Sequence, residues 1–518
     1  MILPTGVHLP TKEKQIMDLK NNRITEIYSV GYSSELTKRI DAVHDRWILW
    51  RDTAWFIMLA KQKIIPGKYL ADIAKTVREL YADRENEYTN ERFGIEKYAI
   101  SKLGTKRAGF LSMGRTIPSQ DQQFAARHKL MKLMCMFYDF QKSLLRFAAD
   151  HLETVMPGYT HLRHAQPTTL GHYLLSVFDP IERILKTVED SYVAMSLNEL
   201  GCGALAGTSL PIDRDMISDY LGLEGLIENT NDAVCYTDGY VLLVSSLANI
   251  MAVVSRLALD LNIWSTLEYG FCEVPLSIKF VNGEYVATES GKSSGSTSFF
   301  MPNKAGKGIN SPILEQTRAG AAQLAGVLTE TVTMGMRTAH GDMHEMLHLL
   351  DSSGRAIDLT HEFMNIYIHL FKNITVFKDR MLEMARTGYS CATELSNVLV
   401  MNYDIDSRTA HHIINEFCIE SDEKDIPSGK ASLAIFDKHY EKITGRKSGM
   451  SESELRKTLD PVNFIHTHKT QGGVSPDETK RMVDERSTRL EEYLARHKAR
   501  ITKLEDSKKR TLSDLETL

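Results

Sequence analysis

Between Ser293 and Glu315 the chain reads SSGSTSFFMPNKAGKGINSPILE, a stretch whose residue types can gather around a negative charge. Small residues from Ser293 to Ser298 lead into Met301-Pro302, and two lysines, Lys304 and Lys307, follow among glycines. Ser311 and Pro312 then mark a helix start, serine as N-cap and proline at the first helical position. Backbone N–H groups, the positive end of a helix dipole and ammonium groups in one place suit a carboxylate or a phosphate. The same composition also fits an ordinary surface loop, so the rest of the chain must decide.

Two further stretches carry reactive side chains. Gly158 to Pro167, GYTHLRHAQP, sets Thr160 beside His161, and a histidine titrates near neutrality, which suits proton transfer. The plain alternative is a helix-end histidine with structural partners. His344-Glu345-Met346-Leu347-His348 is a literal HExxH, the pattern in which two histidines one helical turn apart hold zinc while the glutamate activates water. Its third ligand has no recognisable context; His361 and Glu362 are the candidates. Five-residue patterns with three fixed positions arise by accident, so a helix face bordering another site is the simpler reading.

The elements that must position these residues are helical. An amphipathic run through Leu130–Phe147 is stopped by Pro157-Gly158, and Tyr173–Leu197 and Pro312–Met336 predict further long helices. Asp238–Trp264 is apolar on nearly every face. Its uncharged run, Gly239 to Ser255, has 17 residues and includes Ser245, Ser246 and Asn249. A membrane span needs about 20 predominantly apolar residues, so a helix buried among helices is expected. Shorter helices are predicted in Ser34–Lys61 and Tyr69–Tyr81, and a hairpin in Phe280–Ala287 turning at Asn282-Gly283. The sum is an all-α protein built on a long helical bundle. Three domains are expected: 1–115, N-terminal and mostly helical; 116–380, the bundle with the signature loop; 381–518, a small helical domain whose charged tail, 485–518, reads as a solvated helix.

Composition narrows the partners. The chain has 518 residues, 42% apolar and 25% charged, as in soluble globular proteins. A net charge of −5 gives no electrostatic case for nucleic acid or an anionic membrane. The N-terminal MILPTGVHLPTKEKQ lacks the apolar run of a signal peptide. Six scattered cysteines without CxxC spacing read as reduced thiols of a cytoplasmic protein.

Three blocks in order, Gly158–Pro167, Gly203–Thr208 with Pro211–Arg214, and Ser298–Glu315, together resemble the argininosuccinate lyases of the fumarase/aspartase superfamily. The resemblance implies a three-domain homotetramer with a twenty-helix core and active sites each assembled from three subunits. It also implies β-elimination of a dicarboxylate, a substituted succinate, to fumarate with neither metal nor organic cofactor. By the same resemblance Ser298 is the catalytic base, Lys304 holds the substrate carboxylate, His161 protonates the departing nitrogen or orients substrate, and Glu315 pairs with that histidine. Thr160 and Asn310 match substrate-binding positions. Arg115, Thr116 and Gln120 stand where the family carries its anion-contacting GRSRNDQ block, and Gln166 lies in the histidine block.

Departures from the family pattern bear on the substrate. Phe299 replaces the second signature serine, the interval from Lys304 to Asn310 is lengthened, and the N-terminal LWGGRF-like block is missing. In Thr333–Leu347, TMGMRTAHGDMHEML, the tyrosine, glutamine and lysine that hold the arginine half of argininosuccinate have no match; His344 is the candidate in their place. The expectation is a carbon–nitrogen lyase acting on another N-substituted aspartate. A genuine argininosuccinate lyase and an HExxH zinc metallopeptidase are the alternatives.

Overall fold

The computed structural model describes residues 32–115, 120–275, 278–281, 284–287, 311–336, 339–341 and 343–518. It is mostly helical. The N-terminal part contains α1 (Glu35–His44), α2 (Trp47–Lys61), α3 (Gly67–Ala82) and α4 (Gly94–Leu103). The single helical stretch expected over 34–61 is two helices, because Arg46 takes a left-handed φ of 51° and breaks the ladder. The bundle follows: α5 (Gln120–Ala149), β1 (Val155–Thr160), β2 (Arg163–Thr169), α6 (Leu170–Ala194), α7 (Arg214–Tyr220), α8 (Asp238–Trp264), α9 (Pro312–Met336) and α10 (His344–Leu370). A strand pair, Ile278–Val281 with Glu284–Ala287, forms the expected hairpin in antiparallel register, Phe280 opposite Tyr285.

Helix α8 packs against α6, α9 and α10, and Leu243, Leu247, Ile250, Met251 and Val254 are fully buried there. By length and composition it could cross a membrane. Each such side chain contributes about 1.5–3 kcal/mol by leaving water, which explains why an apolar helix sits at the centre of the bundle. Close approach of α9 and α10 depends on Gly320, where a Cβ would fall 2.0 Å from the Phe363 ring.

After α10 come α11 (Lys378–Thr387), α12 (Ala392–Asn402), α13 (Ser407–Glu423), α14 (Leu433–Thr444), α15 (Glu452–Thr458) and α16 (Pro461–Thr467). Their apolar side chains, among them Leu395, Leu399, Phe417, Phe436 and Phe464, form a second core. The last helix, α17 (Pro476–Glu516), returns to the first.

The tail expected to be solvated is therefore corrected. Leu490, Tyr493, His497, Ile501, Leu504, Ser507, Thr511 and Leu515 recur every three or four residues and are buried along one face of α17. That face packs on α5, α1 and α2. Charges on its flanks pair outward: Arg486 with Asp179, Arg489 with Glu182, Arg39 with Glu505 and Lys61 with Asp514. Ile501→Ala is expected to cost about 2–5 kcal/mol by leaving a cavity. Lys509→Ala, on an exposed side chain, should change stability by no more than about 0.5 kcal/mol. Chemical denaturation of the two variants measures the contrast, and equal small effects would show that α17 is peripheral.

Candidate active site

The histidine block is a β-hairpin. β1 pairs antiparallel with β2, Met156 opposite Thr168 and Thr160 opposite Arg163, with a bulge between Pro157 and Tyr159. At the bulge Gly158 leaves room for the Gln166 carbonyl, which would stand 2.5 Å from a Cβ. The tip is a two-residue turn, His161-Leu162, with φ of 54° and 58°. Such turns favour Asn-Gly, since both central residues need positive φ. A histidine and a leucine there cost about 1–3 kcal/mol each.

Thr160, His161 and Leu162 are exposed, Leu162 to 71%. The tip is held from below. Tyr159 packs its ring against Tyr269 and His164, and burial raises its phenol pKa. Gln166 Nε2 donates to Thr393 Oγ1 at 3.0 Å, tying β2 to α12. His172 Nε2, one turn into α6, contacts the Gly472 carbonyl at 3.1 Å. Gln166 thus has a structural partner in addition to any contact with substrate.

Arg115 is also partnered. Its Nη1 donates to Asp52 Oδ1 at 2.8 Å, and both side chains are 2% exposed. Arg51 reaches the same oxygen at 3.0 Å. Burial works against the charge on Asp52, but the Arg115 and Arg51 guanidiniums outweigh it and hold the carboxyl below the usual range. Trp55 and Phe93 lie against the Arg115 guanidinium, at 5.6 and 5.5 Å from the ring centroids. Gly114, the residue before it, faces Thr208, Leu210 and Ile212, so the anion block abuts the second family block. Sequence reasoning passed over Asp52. The signal was an adjacent Arg-Asp pair inside the apolar run WILWRDTAWFIMLA, where charge persists only if paired.

The second block is a scaffold. Arg214 donates to the carbonyls of Leu200, Ile227 and Glu228, and Asp213 caps α7 by accepting from the Met216 N–H. Beside it a cavity of about 810 Å³ is lined by Glu228, Asp232, Asp238 and Tyr236, among others. Cys235 Sγ stands 3.7 Å from His340 Nδ1, which brings the segment leading to His344 against this stretch.

Glu315 lies exposed in the first turn of α9. Ser311 is fully buried, and its hydroxyl donates to the Pro275 carbonyl at 2.8 Å. Ser298, Lys304, Asn310 and Thr116 lie outside the described residues, and Gln120 opens α5 with its side chain outside them. The hairpin packs on α11, α16 and α6, whereas α9 packs on α8 and α10, so His161 and Glu315 stand on elements with different neighbours.

The zinc alternative is corrected. His344, Glu345 and His348 are exposed at the start of α10. His361, on the same helix, is about 20 Å along its axis from His348, too far to share a tetrahedral ion. Among the described residues no group of three His, Cys, Asp or Glu side chains could hold a metal.

A mostly helical chain of this architecture is shared with solved enzyme structures. An EDDS lyase variant with bound fumarate superposes with a TM-score of 0.77 over 95% of this chain and 97% of its own, at 23% identity. A 3-carboxy-cis,cis-muconate lactonizing enzyme from Pseudomonas putida gives 0.63 over 91% and 100%, at 16% identity. The family model described as Lyase matches residues 44–279. These likenesses define the fumarase/aspartase fold. Sequence narrows the class: argininosuccinate lyase of Methanococcus aeolicus is 31% identical over 89% of this chain and 91% of its own. That of Methanocaldococcus jannaschii is 30% identical over 85% and 88%. The chain belongs to the argininosuccinate lyase family, and it is a carbon–nitrogen lyase.

The strained turn yields a test. Replacing His161-Leu162 by Asn-Gly relieves part of the strain of two left-handed residues, and should stabilise the fold by about 1–3 kcal/mol once the entropy lost by glycine is set against it. The same change should abolish turnover. Urea midpoints and initial rates of the double variant read both effects; a destabilised variant would show that the turn carries no strain.

Proposed function

We propose that the protein catalyses β-elimination of an N-substituted aspartate to fumarate and a nitrogen leaving group. The observation that carries this reading is the rigid hairpin presenting Thr160 and His161 outward on a strained tip, in a chain of the argininosuccinate lyase family. A base removes the weakly acidic proton from the carbon beside one carboxylate, leaving a dianionic intermediate. The C–N bond then breaks, its electron pair leaves with nitrogen, and a proton is delivered there. Ser298 is assigned as base, its alkoxide stabilised by Lys304 and loop amides. Lys304 and Asn310 hold the carboxylate, His161 supplies the proton to nitrogen, and Glu315 orients that histidine. Thr160, Thr116, Gln120 and Gln166 complete the carboxylate side. Arg115 acts through its pairing with Asp52, and His344 faces the leaving group.

The exposure of His161 implies that another copy completes the site. Helix α9 supports this, because its outer face carries exposed Ala319, Ala322, Ala325, Gly326, Val332 and Met336, the last to 80%. A face of small residues, with charge confined to Glu315 and Arg318 at its start, suits close packing against an identical helix. A homotetramer, with sites built from several subunits, is the assembly this fits.

The leaving group proposed is not arginine, since Thr333–Leu347 lacks the tyrosine, glutamine and lysine that hold it in the family. Polar groups left without partners in a closed site are rejected by factors of up to about 10⁴. Genuine argininosuccinate lyase activity is the second reading, favoured by the names of the relatives at 30 and 31% identity. A screen of N-substituted aspartates, argininosuccinate included, for ultraviolet absorbance of fumarate decides between them.

Ser298→Ala should lower the turnover number by about 10²–10⁴ while the assembly still captures intact substrate. Ser296→Ala should keep most of its turnover. The reverse pattern would move the base two residues upstream.

A further inference from the structure

Arg127 lies on α5, 1% exposed, and none of its three guanidinium nitrogens has a hydrogen-bond partner among the described residues. One turn earlier, Gln123 Nε2 donates to the Leu197 carbonyl at 2.7 Å. This face of α5 therefore looks onto the bend that follows α6. The guanidinium carbon lies 4.4 Å from the Phe124 ring centroid; Tyr192, Glu224, His44 and His128 are within its electrostatic reach. A guanidinium keeps its charge at every accessible pH and offers five N–H donors.

Three carboxylates on the surrounding elements have partners other than Arg127. Glu224 pairs with Lys503 at 3.3 Å. Glu189 pairs with Arg500 and accepts from Tyr138. Asp41 holds Lys132 and His128. Arg500 adds a second guanidinium 4.7 Å from the Tyr192 ring centroid. His44 is kept neutral by burial and then by the charge of Arg127. Arg500 is offset by Glu189, whereas Arg127 feels Glu224, a carboxylate shared with Lys503 that makes no hydrogen bond to the guanidinium, so its charge is only partly offset, even with the aromatic face beneath it.

We propose that Arg127 marks an internal anion site that takes a small monovalent inorganic anion of the size of chloride or bromide. A buried water would satisfy N–H groups but add nothing to the partial compensation that Glu224 gives from a distance. A carboxylate ligand would bring apolar bulk that an enclosed core has no room for. Tyr192 and the fully buried Ser196 add neutral hydroxyl donors at the same bend. None of the lyase chemistry above uses this site, so it stands independently of that assignment.

Crystals of the full-length protein grown in bromide, with data collected at the bromine edge, test it directly. The expected result is an anomalous peak at the Arg127 guanidinium. Thermal unfolding provides the second measurement, with gluconate exchanged for chloride at constant ionic strength. The wild-type Tm should climb with log chloride concentration, as for any ligand bound only by the native state. Arg127→Met should lose that dependence; if the variant fails to fold, the wild-type measurements suffice. Absence of the anomalous peak, or a wild-type Tm indifferent to the anion, overturns the proposal.

Discussion

Val155 and Met156 are adjacent on one short strand, yet Val155 belongs to the core of the C-terminal helices and Met156 to that of the bundle. Successive side chains of a strand point to opposite faces, so a single extended dipeptide plugs two cores at once. An isolated two-stranded hairpin is marginal in water. This one is ordered because each face of its base is already paid for by burial on a different side. The position of His161 is therefore fixed by the packing of two helical bodies. A turn over-determined in this way can keep left-handed residues that a free hairpin would replace.

Charge is handled on the same principle. Arg51, Asp52 and Arg115 are taken out of water together, two guanidiniums on one carboxylate oxygen. Removing one partner of a buried pair typically costs about 3–5 kcal/mol, which makes the cluster a rigid pin between α2 and the block that opens α5. Along α17 the ion pairs lie on the flanks of an apolar stripe and are partly hydrated, where each contributes at most about 1 kcal/mol.

How much of this could be read beforehand follows from what holds each element. Helices α8 and α9 were legible to their ends, since continuous apolarity and a Ser-Pro start are local signals. The hairpin was not. VMPGYTHLRHAQPTT holds two prolines and a glycine, shows no alternation, and turns on His-Leu instead of Asn-Gly, so its stability comes from contacts distant in sequence. In α17 the abundance of charge masked a stripe spaced by three and four, and the helix was read as solvated. Thr160 and His161 were proposed through their motif. Asp52 was missed because nothing in a motif points to the residue that holds an arginine in place.

The strap formed by α17 has a consequence for synthesis. Lys61 meets Asp514 and Arg39 meets Glu505, so α1 and α2, made early, wait for α17, made much later. Until that helix emerges, the dry sides of α1, α2 and α5 face solvent. Closing so long a loop also places these contacts among the latest to form. A chain released forty residues early would keep most of its helices and lack the piece that covers them. Such a product presents apolar surface, the feature by which quality control distinguishes unfinished from finished chains.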